Sequence, residues 1–244
     1  LPDPTPVQLD IAEYLQHGAR RKIIQGFRGV GKSWITSTYV VWRLRIDPQL
    51  KFLVVSASKD RADNFTTFTM RLINEMPILA PLIPRDDQRN SKVSFDVRPA
   101  SADHAPSCSS KGVLSQLAGS RADEVIADDC EVPNNSFTQP MRDKLSEAVK
   151  EFEAILKPSG KITFLGTPQV ENSLYLTLEE RGYETRIWTA RYPNHKNNYG
   201  DRLAPRLAKN LLEGSVQPQD PVDPVRFSAQ DLMEREASYG RSGF

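Results

Sequence analysis

Residues 21–46 read RKIIQGFRGVGKSWITSTYVVWRLRI, and the order of their parts decides the fold. RKIIQ over 21–25 reads as a short strand running into Gly26, Phe27, Arg28, Gly29, Val30, Gly31, Lys32 and Ser33, which fit the pattern G-x-x-x-x-G-K-[ST]. The residues after it keep a helical character until Pro48 ends it. Strand, glycine loop and helix in this order make a cradle for phosphate. Glycines admit the positive φ values at which successive backbone N–H groups turn inward around an anion, and the following helix aims its positive end at the same point. Lys32 is placed to reach β- and γ-phosphates and Ser33 to ligate Mg²⁺. The expected ligands are therefore a nucleoside triphosphate and magnesium, with residues 26–33 as the binding loop.

Outward from the loop, the chain alternates. KFLVVSAS is a continuous apolar run suited to a strand buried on both faces, and KDRADNFTTFTMRLINEM follows as an amphipathic helix ending at Pro77. Residues 77 to about 89 read as a loop, KVSFDV alternates like a strand, and PASADHAPSCSSKG is a turn-rich segment expected to be mobile. EVIADD is the next buried strand, QPMRDKLSEAVKEFEAILK a helix, KITFLGTP a strand, SLYLTLEERG a helix and ETRIWTA a last strand. Upstream, VQLDIAEYLQHG places Val7, Ile11, Tyr14 and Leu15 on one helical face with Gly18 as its stop. This alternation predicts an α/β fold with a doubly wound, mostly parallel sheet over residues 1–190. Residues 191–244, proline-rich and irregular before the capped helix of SAQDLMEREASYG, are expected to form a linker or small subdomain.

A phosphate loop needs an acidic partner at the end of a neighbouring strand, and VIADDCE supplies three carboxylates. Asp128 is the expected metal-side residue. Asp129 and Glu131 compete to orient and deprotonate the attacking water; Asp129 is favoured by its position directly after Asp128, while Glu131 has the longer reach. Like charges crowded at one strand end repel unless a cation sits among them. Gln8, upstream of the loop strand in PTPVQ, offers an amide that can pair with the N6 donor and N7 acceptor of adenine, which points to ATP. Arg28, inside the loop, is a candidate arginine finger in its own chain. Arg121, in GSRAD, is a candidate finger offered to a neighbouring subunit. Thr167 ends FLGTP where a polar group would feel the γ-phosphate, and Pro168 is expected to turn the chain.

Composition excludes more than it identifies. The 244 residues carry 32 basic and 31 acidic side chains, a formal charge of +1, so any nucleic-acid contact must come from local groups; ARRK at 19–22 and the loop near Lys111 are candidates. Two cysteines, Cys108 and Cys130, and three scattered histidines show no metal-ligand spacing and suit a reduced, intracellular chain. No apolar run is long enough for a membrane span, and no membrane partner is expected. The chain opens on LPDPTPVQ without Met and closes on YGRSGF, as expected of a piece of a larger parent.

Taken together, PTPVQ, GFRGVGKS with Arg28, GSRADEVIADDCE, ITFLGTP and DLMEREASYGRSGF resemble the large terminase subunits of tailed phages, especially those of short-tailed podophages. The resemblance runs over nearly the whole chain. It implies a P-loop NTPase of the additional-strand, RecA-like class that hydrolyses ATP with Mg²⁺ to translocate double-stranded DNA into a procapsid. Its implied partners are the portal protein, a small terminase subunit and further copies in a homo-oligomeric ring, in the cytoplasm of the infected host. The family's C-terminal nuclease would lie beyond this chain, so DNA cleavage is not expected of it. Asp129 stands where the common pattern has glutamate. A helicase-like ATPase and a small-molecule kinase are the rival readings; no second RecA-like half and no lid arginines are recognisable in support of them.

Overall fold

A computed structural model describes residues 3–167 and 173–239; Pro168, with the turn expected there, and the closing residues 240–244 lie outside the described residues. The first helix, α1 (Pro6–His17), starts where the sequence places it. Thr5 Oγ1 accepts the Gln8 N–H at 3.4 Å and Gln8 Oε1 accepts the Thr5 N–H at 3.0 Å, a reciprocal capping box. Its buried face is Val7, Ile11, Tyr14 and Leu15, as the spacing predicts. Then follow β1 (Arg21–Gly26), α2 (Lys32–Ile46), β2 (Phe52–Ser56), α3 (Lys59–Glu75), β3 (Ser94–Phe95), β4 (Cys108–Gly112) and β5 (Ala122–Asp128). The second half holds α4 (Pro133–Ser136), α5 (Gln139–Ala148), α6 (Glu151–Ile155), β6 (Leu156–Gly166), α7 (Leu174–Glu180), β7 (Glu184–Trp188), α8 (Pro205–Leu212) and α9 (Ala229–Tyr239).

The seven strands form one sheet in the order β3-β4-β2-β5-β6-β1-β7, parallel throughout except for β3 against β4. Strand β6 lies between the loop strand β1 and the acidic strand β5, which is the extra strand of the additional-strand class. The register pairs Ser56 with Asp128, Asp128 with Leu165, and Leu165 with Ile24. The carboxyl ends of β2, β5, β6 and β1 therefore finish level, the edge at which open parallel sheets bind ligands. One face of the sheet is covered by α1, α2 and α3 through Ile11, Val40, Leu44 and Ile73; the other is covered by α5, α6 and α7 through Leu145, Phe152 and Leu178.

Three expectations change. The segment expected to be a mobile loop ends in β4, which pairs in parallel with β2 from Phe52 opposite Cys108 to Ser56 opposite Gly112. Two of its serines are held rather than solvated: Ser110 Oγ donates to Asp63 Oδ1 at 2.6 Å, and Ser107 Oγ accepts the Val97 N–H at 3.1 Å. The alternating KVSFDV contributes only the two residues of β3. The single helix expected after β5 is broken into α5 and α6, because Val149, Phe152 and Ile155 all turn under the sheet and become buried. Residues 191–239 bury Tyr192, Leu207, Val222, Phe227 and Leu232 in the same cluster as Val7, Phe27 and Val30.

Candidate active site

The loop leaving β1 is turned by Gly29 and Gly31, whose φ values of 90° and 93° lie where side-chain-bearing residues are strained. Gly31 is also the N-cap of α2 and no side chain caps that helix, so its first-turn N–H groups are left for another acceptor, as an anion site requires. Lys32 folds back over the loop: Nζ donates to the Gly26 carbonyl at 2.6 Å and approaches Thr167 Oγ1 at 3.5 Å. Thr167 Oγ1 in turn donates to the Gly26 carbonyl at 3.1 Å. The end of β6 is thereby joined to the loop. Burial lowers the Lys32 pKa, and the charges of Asp129 and Asp128 act in the opposite direction.

Ser33 Oγ lies 3.0 and 2.9 Å from the two carboxylate oxygens of Asp128. Burial pushes the Asp128 carboxyl up to about 6, the neighbouring Asp129 adds to the rise, and the Ser33 hydroxyl opposes it. A hydroxyl and a carboxylate this close are the hard oxygen ligands that Mg²⁺ takes from a protein, with water and nucleotide phosphates completing the shell. Among the described residues no group of three or more His, Cys, Asp and Glu side chains could hold a metal. A magnesium ion at Ser33 and Asp128 would thus depend on phosphate for its further ligands, and the site fits that role.

The three carboxylates of VIADDCE part company. Asp129 has φ 45°, a left-handed backbone that aspartate tolerates better than most residues, and its N–H donates to the Leu165 carbonyl at 2.9 Å. Its side chain is half-buried at the sheet edge beside Asp128. Glu131 is buried, and its carboxylate accepts the backbone N–H of Leu174, the first residue of α7. Cys130 between them is a free, buried thiol donating to the Val55 carbonyl at 3.4 Å, and burial raises its pKa well above the ordinary thiol value.

Gly26, Lys32, Ser33, Asp128 and Thr167 thus meet through direct hydrogen bonds, with Asp129 adjoining. Gln8 stands on the outer side of the loop, its Nε2 donating to the Val30 carbonyl at 3.0 Å while Oε1 holds Thr5. Pairing with adenine would exchange those two bonds for two others. Arg28 is exposed at the loop's crest, 6.0 Å from the centroid of the Tyr239 ring. Arg121 lies elsewhere: it precedes β5, at the amino edge of the sheet, and its Nη1 donates to the Ala154 carbonyl at 2.9 Å. The length of a strand, roughly 20 Å, separates it from the loop. Of the basic groups considered for DNA, Lys22 is buried, Arg20 and Arg21 donate to the Gly160 carbonyl, Arg21 also pairs with Glu153 at 2.6 Å, and Lys111 donates to the Gln116 carbonyl.

Two residues escape a reading of the sequence because they come from its far end. Arg226 Nη1 donates to the Val30 carbonyl at 2.8 Å, sharing that acceptor with Gln8. Phe227 packs edge-on to Phe27 with centroids 5.5 Å apart, and a Cβ added at Gly29 would lie 2.8 Å from its ring. Gly29 therefore answers to two demands, a positive φ and the close approach of Phe227. No local signal marks either residue; only tertiary packing brings them to the loop.

No family model matches the chain. The large terminase subunit of Enterobacteria phage T3 is 51% identical over 252 aligned positions, which take in 100% of this chain and 43% of that protein. The chain spans less than half the length of that relative. Among solved structures, the large terminase of a thermophilic bacteriophage in complex with ADP is 10% identical, with a TM-score of 0.50 over 97% of this chain and 50% of that one. The ATPase domain of the Thermus phage P74-26 large terminase is 20% identical, with a TM-score of 0.44 over 71% of this chain and 68% of that one.

Proposed function

We propose that this chain, homologous over its whole length to a stretch of a phage large terminase subunit, is a magnesium-dependent ATPase whose turnover drives double-stranded DNA into a procapsid. The observation that carries the ATPase reading is the junction of Lys32, Ser33, Asp128 and Thr167 at one edge of the sheet, with Asp129 beside it. Each group has a task there. The loop amides and the α2 terminus receive the phosphates, and Lys32 exchanges the Gly26 carbonyl for phosphate oxygens. Magnesium held by Ser33 and Asp128 would neutralise charge between the β- and γ-phosphates. Asp129 accepts a proton from the attacking water at a carboxylate oxygen. Thr167 bonds both Lys32 and the loop, so it registers the γ-phosphate and passes its loss into β6. Gln8 and Arg226 flank the loop on its outer side, and Gln8 selects adenine by trading its bonds to Thr5 and Val30 for the base.

At the level of the motor, the reading extends to a ring of copies on the portal, supplied by a small terminase subunit and working on the procapsid in the host cytoplasm. Among the described residues no helix is long and apolar enough to cross a membrane. The test is steady-state ATP hydrolysis with Mg²⁺, with and without duplex DNA, by the protein and by Lys32→Ala. Turnover in the parent, stimulated by DNA and abolished in a folded Lys32→Ala, is the expected result. Turnover retained by Lys32→Ala would overturn the assignment of the loop.

A further inference from the structure

Tyr175, in the first turn of α7, is 0% exposed, and its hydroxyl has no hydrogen-bond partner among the described residues. A buried, unsatisfied hydroxyl is destabilising, and phenylalanine would fill the same space without that penalty. The oxygen is nonetheless present, and its location is informative. A Cβ added at Gly166 would fall 1.6 Å from Tyr175 Oη, so position 166 is open to this phenol only as glycine. Gly166 closes β6 immediately before Thr167. Leu165, just ahead of it, accepts the Asp129 N–H at 2.9 Å. The phenol therefore reaches the point where β6, just before Thr167, meets the acidic strand.

The surroundings of this hydroxyl are one-signed. Burial first, and then the charges of the carboxylates Asp129, Glu131 and Asp128, hold the phenolic proton on the oxygen and raise its pKa well above the ordinary value. Tyr175 is thus a donor at all working pH values, set against Gly166 at the sheet edge that carries Asp128 and Asp129, with no acceptor engaged among the described residues. Glu131 already takes the N–H of the adjacent Leu174. Asp129 has its backbone bonded, but no side-chain hydrogen bond to a described residue is found for its carboxylate.

We propose that Tyr175 is a positioning residue for ATP hydrolysis, its hydroxyl donating to the Asp129 carboxylate in the nucleotide-bound state and holding it toward the attacking water. The inference rests on the ATPase reading above. It also links α7 to the chemistry, since the helix that carries the donor starts on the carboxylate of Glu131.

The experiment is Tyr175→Phe, which removes one oxygen and keeps the ring. Misplacing a catalytic group by about 1 Å costs on the order of 10²-fold in rate, so kcat for ATP should fall about 10- to 100-fold. KM should stay within about twofold, and the thermal midpoint should be unchanged or higher because an unpaired buried hydroxyl has gone. In an Asp129→Asn background the same change should have no further effect on kcat, since the two groups act as a unit. A kcat within about twofold of the parent overturns the proposal. So does a fall in kcat accompanied by a lower melting midpoint and a raised KM, which is what a merely structural tyrosine gives. If the parent turns over and Tyr175→Phe matches it, only the positioning role fails; if the parent and Lys32→Ala are alike, the ATPase reading fails and takes this inference with it.

Discussion

Asp129 and Glu131 stand two positions apart and meet opposite surroundings. Asp129 sits half-buried at the sheet edge with its backbone at φ 45°, and strained conformations of this kind persist where surrounding structure and function both need them. Glu131 is buried and holds the first N–H of α7. Spacing alone leaves these two undecided, because a strand end in sequence does not say which side chain turns toward the loop and which turns beneath the next helix. The structure separates the two environments, and the two substitutions should therefore fail in different ways. Asp129→Asn should lose roughly 10²- to 10⁴-fold in kcat, the range for a general base, while still binding nucleotide and melting close to the parent. Glu131→Gln should keep kcat within several-fold but lose about 1–3 kcal/mol of stability, because the amide brings a buried donor where a carboxylate accepted a hydrogen bond. Turnover and urea unfolding on both variants check the assignment; equal kcat losses in the two would sink it.

At the scale of elements, the end of α1 shows how a buried charge is used in the sheet. Lys22, on β1, is buried, and its Nζ donates to the Tyr14 and Leu15 carbonyls at 3.2 and 2.6 Å, closing the last turn of α1. Burial lowers its pKa to about 8 from 10.5; Lys161 and Arg43 push in the same direction, while Glu124 and Glu184 resist. Between these two values the unfolded chain binds a proton that the folded chain does not, so stability from this group rises with pH, by up to about 1.4 kcal/mol per pH unit. The expected outcome is that the stability of the parent relative to Lys22→Met climbs from about pH 8 toward pH 10.5 in urea titrations; a flat difference would show Lys22 to be solvated. Helix α1, the β1-loop-α2 unit, β2 and β5 are legible in the sequence because their apolar runs and caps are strong. Strand β4 is not, because Cys-Ser-Ser-Lys-Gly carries no β-branched residue and becomes a strand only by pairing with β2 and by the bond from Ser110 to Asp63. The break between α5 and α6 is equally hidden, since the helical periodicity of 139–155 continues through it while the buried side chains of Val149 and Phe152 redirect the backbone.

Across the whole molecule, the two candidate arginine fingers lie at opposite edges of one sheet. Arg28 is part of the loop itself and can serve only the site that carries it or one pressed against that edge. Arg121 lies at the amino edge, roughly a strand's length from its own Ser33, so any action on a γ-phosphate must be on a neighbour's. Such an arginine is worth about 10³- to 10⁵-fold in turnover, which makes the assignment measurable. It also predicts that turnover per subunit rises with protein concentration, as copies find one another. Complementation separates the two positions. A Lys32→Ala subunit cannot use its own site but still presents Arg121, whereas an Arg121→Ala subunit has an intact loop and lacks the arginine for its neighbour. Mixed in equal amounts, the two inactive variants should recover a substantial fraction of parental turnover if Arg121 acts between subunits. Arg28→Ala mixed with Lys32→Ala should stay inactive if Arg28 serves the site that carries it, because each subunit then lacks one group of its own loop. Rescue of Arg28→Ala together with failure to rescue Arg121→Ala would reverse the assignment, and it would place the subunit contact at the carboxyl edge of the sheet.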